Sequence, residues 1–328
     1  MEALPAPAFF LALRHGDTVT VRKMLTTAGA QSWIDYQSAL GNTPLFMAAL
    51  MNHASITQQL IVARCNIDLH REDGTTPLFV AAKNGYETVT KQLLEARCNV
   101  DLQMQDGKSA LYIAAKNGHE AVTQQLIAAR CNVDVQMEGG FMPLHCAVAE
   151  GHEAVTKQLI AARCSVDLQD KNGFTALHRT SEFGHVVVME QLIEARCNVD
   201  LQAKDGYTPI HFAAAKGHEA VTEQLIAARS NVDPQLPCGA TPLFIAAENA
   251  HASVTKQLIE ARCNIDAQKK NGVSPLFIAA EKGHAAVTKQ LIEGRCNIDA
   301  QKKNGVSPLF IAAEKGHAAV TKQLKLLV

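Results

Sequence analysis

The sequence has almost no net charge. Its 31 Lys and Arg offset 32 Asp and Glu to −1, charged residues make only 19% of the chain, and 47% of it is hydrophobic. That balance excludes a disordered polyelectrolyte and a chain that coats nucleic acid through bulk charge. No apolar run approaches the ~18–20 residues that span a bilayer. The apolar stretch Ala3 to Leu13 follows Glu2, has no basic lead and carries Pro5 and Pro7. It therefore argues against a signal peptide and reads as the first helix of a terminal unit. There is no C-x-x-C, no H-E-x-x-H and no G-x-S-x-G, and no Gly-Lys-Ser/Thr follows Gly139-Gly140. A zinc-ligand pair, a metalloprotease helix, a nucleophile elbow and a phosphate loop are all missing.

What the chain has is repetition. Arg262 to Leu291 returns residue for residue as Arg295 to Leu324, and looser copies run back towards the N-terminus. Gly recurs at 41, 74, 107, 140, 173, 206, 239, 272 and 305, always 33 residues apart. Two residues after each Gly stands Thr or Ser, with Met142 once. Pro follows except at Ala110 and Ala176, and then Leu or Ile. Gly supplies the backbone freedom of a tight turn. The hydroxyl caps a helix, and Pro fits the first helical position, where its missing N–H costs nothing. A short helix such as Leu111 to Ala115 follows, then a turn at Gly118-His119. A second helix, Val122 to Ala129, places Val122, Leu126 and Ile127 at helical spacing. The pattern specifies an all-α repeat solenoid of helix-turn-helix units. Residues 1–35 read as a degenerate N-terminal capping unit that lacks the Thr-Pro-Leu signature. Trp33 is expected over its first joint.

The period of 33 and the Thr-Pro-Leu run with its three surviving His, His145, His178 and His211, resemble ankyrin repeats. The likeness covers residues 36–328 as nine repeats, the last incomplete. It implies β-hairpin-like loops, two antiparallel helices per unit, and protein–protein recognition through hairpin tips and the face of the first helices. Two departures stand out. The family His is replaced at six sites by an aromatic ring: Phe46, Phe79, Tyr112, Phe244, Phe277 and Phe310. Where the family has Gly-Ala-Asp after the second helix, this chain has Arg-Cys-Asn, with Arg at eight sites from Arg64 to Arg295. A left-handed Arg costs of order 1 kcal/mol. Either neutralisation of the helix C-terminal dipole or a basic ridge for an acidic partner would offset it. Two units are irregular. One carries Thr180-Ser181 for the usual Ala-Ala pair. In the other, Pro234 and Pro237 lie in the hairpin, with Ser230 and Ala250 at the periodic Cys and Gly. A local kink or drift in an older copy would account for that second unit.

Nine cysteines invite a metal or disulfide reading, but seven fall once per repeat, at Cys65, Cys98, Cys131, Cys164, Cys197, Cys263 and Cys296. Stacked units lie ~8–10 Å apart. A disulfide needs Cα atoms within ~7 Å, and zinc draws its ligands to ~2.3 Å of one point. The cysteines therefore read as reduced, buried, small hydrophobes in a reducing, cytoplasmic compartment. The His ladder from His119 to His317 reads as a structural turn on the same geometry. No cofactor, metal or catalytic constellation is expected.

The function these residues favour is a non-enzymatic protein–protein interaction module, a scaffold or adaptor with a protein or peptide partner. The alternatives are the targeting arm of a larger enzyme or ubiquitin ligase whose catalytic part lies elsewhere, a pathogen effector, or a passive spacer. Residues 262–328 hold 11 Lys and Arg against 5 Asp and Glu. This asymmetry either orients a charged partner or simply copies a Lys-rich unit. The candidate contact surface is the position after each turn Gly. It is polar or aliphatic in most units but reads Phe141, Phe174 and Tyr207 in three successive ones. Aromatics and Arg dominate interface hot spots. Either each ring folds back over its own hairpin and shields it, or the three form one contiguous anchor stripe, with Arg179 and Phe183 from the same central units and Glu138, Lys171 and Lys204 as a polar rim. The chain is expected to be monomeric. Leu309, Phe310 and Ile311 lack a following unit to cover them, so that end is expected to fray, to self-associate, or to continue in a longer natural chain.

Overall fold

The computed structural model describes residues 6–27, 29–30 and 33–327. The start of the apolar stretch, Ala3 to Pro5, and Val328 lie outside them. The chain divides into two compact units, residues 1–165 and 166–328. The first contains α1 (Ala6–His15), α2 (Thr18–Leu25), α3 (Pro44–Leu50), α4 (Ala54–Val62), α5 (Pro77–Lys83), α6 (Glu87–Glu95), α7 (Ala110–Lys116), α8 (Glu120–Ala128), α9 (Pro143–Ala149) and α10 (Glu153–Ala161). The second contains α11 (Ala176–Phe183), α12 (Val186–Glu194), α13 (Pro209–Lys216), α14 (Glu219–Ala227), α15 (Pro242–Glu248), α16 (Ala252–Glu260), α17 (Pro275–Lys282), α18 (Ala285–Glu293), α19 (Pro308–Glu314) and α20 (Ala318–Lys325). Among the described residues no helix is long and apolar enough to cross a membrane.

Within each unit, each helix lies against its antiparallel mate and against the like helix of a neighbouring pair. In the first unit α3, α5, α7 and α9 stack in one layer and α4, α6, α8 and α10 in another. In the second unit the odd helices α11 to α19 and the even helices α12 to α20 do the same. The all-α solenoid stands. Among the described residues the loops between pairs are hairpin-like without forming strands. Each closes on two backbone bonds, as Met104 N–H to Lys108 O at 2.9 Å and Gly107 N–H to Met104 O at 2.9 Å. Among the described residues the one isolated bridge is Gln103–Ser109.

The repeated residues earn their places locally. Thr43, Thr76 and Ser109 accept the N–H three residues on at 3.0, 3.0 and 3.1 Å, and Pro44 and Pro77 open α3 and α5. Met142 has no hydroxyl, and its own N–H instead donates to His145 Nδ1 at 3.3 Å. Most second helices bury Val, Thr and Leu completely, as α6 does at Val89, Thr90 and Leu93. Trp33 is buried edge-on to Phe9, with ring centroids 4.3 Å apart. It thus seals the first joint as expected.

The Arg-Cys-Asn motif has a backbone explanation. All eight Arg are left-handed, with φ between 59° and 63°. Arg97 N–H donates to Leu94 O at 2.9 Å and Cys98 N–H to Leu93 O at 3.3 Å. That pair of bonds is a Schellman cap, and an apolar side chain at the second position commonly accompanies it. The lattice cysteines occupy that position, and all but the half-buried Cys98 are buried. The third N–H, of Asn99, donates to Asp68 of the preceding repeat at 2.9 Å. Three bonded N–H groups and a buried thiol offset the left-handed strain.

In the irregular hairpin, Pro237 deletes a rung. Lys204 N–H donates to Asn172 O and Lys270 N–H to Cys238 O, each at 2.9 Å, linking neighbouring hairpins. Proline at the equivalent site has no N–H to give. Its ring lies against Gly206, where an added Cβ would meet Pro237 Cδ at 3.0 Å.

Candidate surface for partner recognition

The second unit brings three aromatic rings together. Phe174 and Phe212 meet edge-on at 5.6 Å between centroids, and Tyr207 lies 5.3 Å from Phe212. Phe174 and Tyr207 also rest against the His of their own repeats, His178 at 5.7 Å and His211 at 5.6 Å. All three residues are half-buried. Phe212 was missed in the sequence. Its column carries Ile or Val in most other repeats, at Val80, Ile113, Ile245, Ile278 and Ile311. A ring there was a legible signal. Phe141 belongs to the first unit, is half-buried and lies edge-on to His145 at 6.3 Å.

Arg179 is bound into the same cluster. Its guanidinium lies 4.6 Å from the Phe174 centroid and pairs with Asp170 and Glu182, both at 3.1 Å. Asp170 is buried and also accepts the N–H groups of Asn172 and Phe174 at 2.8 and 3.0 Å. Arg179 thus fixes the hairpin to the first helix and stacks on Phe174, one cation between two carboxylates. Phe183 is elsewhere, at the turn between α11 and α12, half exposed and stacked on His185 at 6.2 Å. Glu138, Lys171 and Lys204 are exposed on hairpin tips.

The histidines beneath the rings are held neutral. His178 and His211 are fully buried, and burial pushes each down to about 4. The Nδ1 of each accepts the backbone N–H of the helix-capping Thr, at 3.1 Å from Thr175 and 3.2 Å from Thr208. His178 Nε2 then donates to Tyr207 O at 3.2 Å, tying one repeat to the next hairpin. Burial also pushes the seven lattice thiols up to about 12, with a nearby Asp adding to the shift. The turn histidines are joints between repeats. His119 and His152 donate from Nε2 to Lys83 O and Lys116 O in the first unit, and His251 and His284 to Ala215 O and Glu248 O in the second, all at 3.0–3.1 Å. Among the described residues no group of three or more His, Cys, Asp or Glu could hold a metal ion.

The family model for ankyrin repeats, in sets of three copies, matches residues 9–103, 88–170, 144–238, 220–298 and 243–326. Among solved structures the chain is similar to the human ASB11 ankyrin repeat domain. The TM-score is 0.61 and the identity 28%, covering 67% of this chain and 97% of that one. No curated protein matches. With the family pattern matched along nearly its whole length, and the helix pairs, hairpin loops and inter-repeat histidine bonds in place, the chain belongs to the ankyrin repeat family, whose repeats are protein–protein interaction modules.

Proposed function

We propose that this chain is a non-catalytic scaffold or adaptor, nine repeats over residues 36–328 behind a terminal unit at 1–35. It captures a protein or peptide partner on its hairpin tips and first-helix face, without nucleic acid or cofactor. The observation that carries the reading is the cluster of Phe174, Phe212 and Tyr207. The three half-buried rings lie within 5.3–5.6 Å of a neighbour; Phe174 and Tyr207 stand where most other repeats are polar or aliphatic, and Phe212 where most carry Ile or Val. Rigid, partly desolvated rings are the usual anchors of protein interfaces. Phe141 supplies a further ring from the first unit. The non-catalytic part is supported by the buried groups. His178 and His211, pushed down to about 4, are poor bases at neutral pH, and a buried thiol such as Cys197, pushed up to about 12, is a poor nucleophile. Buried thiols of that kind also suit a reducing, cytoplasmic compartment.

The test is affinity capture with the purified chain, followed by calorimetry on the partner recovered. Changing Phe141, Phe174 and Tyr207 together to Ala is expected to weaken binding at least 100-fold, given ~2 kcal/mol or more for each true anchor. Helicity is expected to be unchanged. Normal binding by the folded triple variant refutes the surface. A turnover that tracks the purified chain and dies on a point substitution refutes the non-catalytic reading.

A further inference from the structure

A second surface lies on the outer layer of the second unit, away from the hairpins. Phe183, Val186 and Val187, within five residues of chain, are 50%, 38% and 42% exposed. The next repeat has Lys216, Glu219 and Ala220 at the same positions. The apolar turn therefore belongs to this repeat and is not a requirement of the stack. It continues along α12 into Glu190 and Glu194, three to eight residues on and so on the same side of the helix.

The charge of that layer is equally particular. Lys91, Lys256 and Lys289 each pair with the Glu four residues on, at 3.9, 3.7 and 3.8 Å. The equivalent positions on α12 and α14 are Glu190 and Glu223. Glu190 and Glu194 then form a like-charge i,i+4 pair, as do Glu219 and Glu223, and all four are exposed. Such pairs weaken a helix instead of supporting it. Since α12 packs on α14, the four carboxylates form one acidic field beside the apolar turn. Lys216, Arg196 and Arg229 stand only at helix ends. Apolar side chains exposed next to unpaired acid match one kind of partner: a helix with an apolar stripe and flanking Lys or Arg.

We infer that the outer face of α12 and α14 docks a basic amphipathic helix of a partner protein. Its apolar side chains would seat on Phe183, Val186 and Val187, and its cations along Glu190, Glu194, Glu219 and Glu223. The surface is separate from the ring cluster and does not depend on it.

Fluorescence anisotropy on the full chain tests this with labelled Leu/Lys amphipathic peptides about 18 residues long, enough to form a helix. The controls are a Leu/Glu peptide of the same pattern and a Leu/Lys peptide of scrambled order. Two variants borrow residues that other repeats carry at the same positions, which preserves the fold. One is Phe183→Lys with Val186→Glu and Val187→Ala; the other is Glu190→Lys with Glu223→Lys. The amphipathic Leu/Lys peptide is expected to bind the parent chain, and each variant to weaken it by about tenfold or more, or ~1.4 kcal/mol. The charge variant is also expected to flatten the salt dependence. Equal binding of the Leu/Glu or scrambled peptide, unchanged affinity in either folded variant, or no binding by the parent chain overturns the proposal. So does sedimentation showing that this face instead joins two copies of the chain and that the apolar variant separates them.

Discussion

Residues 262–291 and 295–324 are the same thirty amino acids in different surroundings. In the first copy Phe277 is 1% exposed, with Lys302 of the next hairpin 5.7 Å from its ring centre; in the second, Phe310 is 57% exposed. Ala280 is fully buried, whereas Ala313 is exposed. At Gly283 an added Cβ would strike His317 at 2.5 Å; at Gly316 nothing lies within 4 Å. Yet Leu291 and Leu324 are equally buried, at 0% and 1%. One copy makes the inner half of its own core, and the neighbour's hairpin and turn His make the outer half. In a solenoid the interface between repeats is a separate stabilising quantity from the repeat itself, and these two copies separate the two terms with sequence held constant.

The largest effect expected from that comparison is at the ring. Phe277→Ala is expected to cost about 3–5 kcal/mol, the range for emptying a buried Phe site. Phe310→Ala, a surface truncation, is expected to stay within about 0.5 kcal/mol. Urea unfolding of the two variants, with hydrogen exchange to locate the loss, checks it. Equal costs would mean that the neighbour contributes nothing and would break the comparison.

A second contrast lies between repeats that keep the family His and those that replace it with a ring. His178 and His211, at about 4 in the fold, lie below the ordinary His value near 6.5. The unfolded chain therefore binds their protons first. Their contribution is fully present above about pH 6.5 and is lost as pH falls towards 4, by up to about 3 kcal/mol each. Phe244 and Phe277 fill the same position with no titrating group and are buried at 2% and 1%. Changing both histidines to Phe is expected to remove most of the stability loss between pH 6.5 and 4, measured as a difference in urea midpoint against the parent. A parallel acid profile in both proteins would locate the titrating groups elsewhere.

Much of this was legible in the chain. The Gly spacing and the Thr-Pro-Leu run fixed the helix pairs because capping and turn chemistry are local. The left-handed Arg followed from the family position it occupies. Its compensation did not, because the Schellman bonds and the Asp of the preceding repeat are tertiary. Exposure at the end was read correctly for Phe310 but not for Ile311, which is 8% exposed. Neighbouring positions on one short helix face different ways, and α19 buries one side against α17 and α20. At the candidate surface the rings after three of the turn Gly stand out in the sequence, and Phe212 departs legibly from its Ile/Val column, but that the two columns meet shows only when the repeats are brought together in space. For Arg179 the sequence shows a contact candidate but not its ion pairs. Its partner Asp170 is nine positions away across a hairpin, a distance that no helical or strand period links.

A smaller difference is expected at the helix caps. Ser274 and Ser307 accept the same bond, from Phe277 and Phe310 N–H at 3.1 and 3.2 Å. Ser274 is 1% exposed and Ser307 half-buried. Ser274→Ala strands the Phe277 N–H away from water and is expected to cost about 1–2 kcal/mol, and Ser307→Ala about 0.5 kcal/mol. Equal losses in urea unfolding would show that the cap acts through the helix alone.

The smallest expected effect is one on which the two copies agree. Arg262 and Arg295 share φ 62°, and each donates its N–H three residues back, to Ile259 O and Ile292 O at 2.9 Å. The following cysteines donate to Leu258 O and Leu291 O, both at 3.2 Å. Left-handed strain arises between a residue's own Cβ and its neighbouring carbonyl, so it is indifferent to the next repeat. Replacing Arg by Gly removes about 1 kcal/mol of strain but loosens the unfolded chain by roughly 0.5–1 kcal/mol. Arg262→Gly and Arg295→Gly are therefore each expected to shift stability by no more than about 0.5 kcal/mol, in the stabilising direction and by the same amount. A clear loss confined to Arg262→Gly would show that the guanidinium binds across the interface and that the interior copy draws on it. Matched small gains would instead assign the Arg column to the backbone and leave its charge for whatever meets the surface.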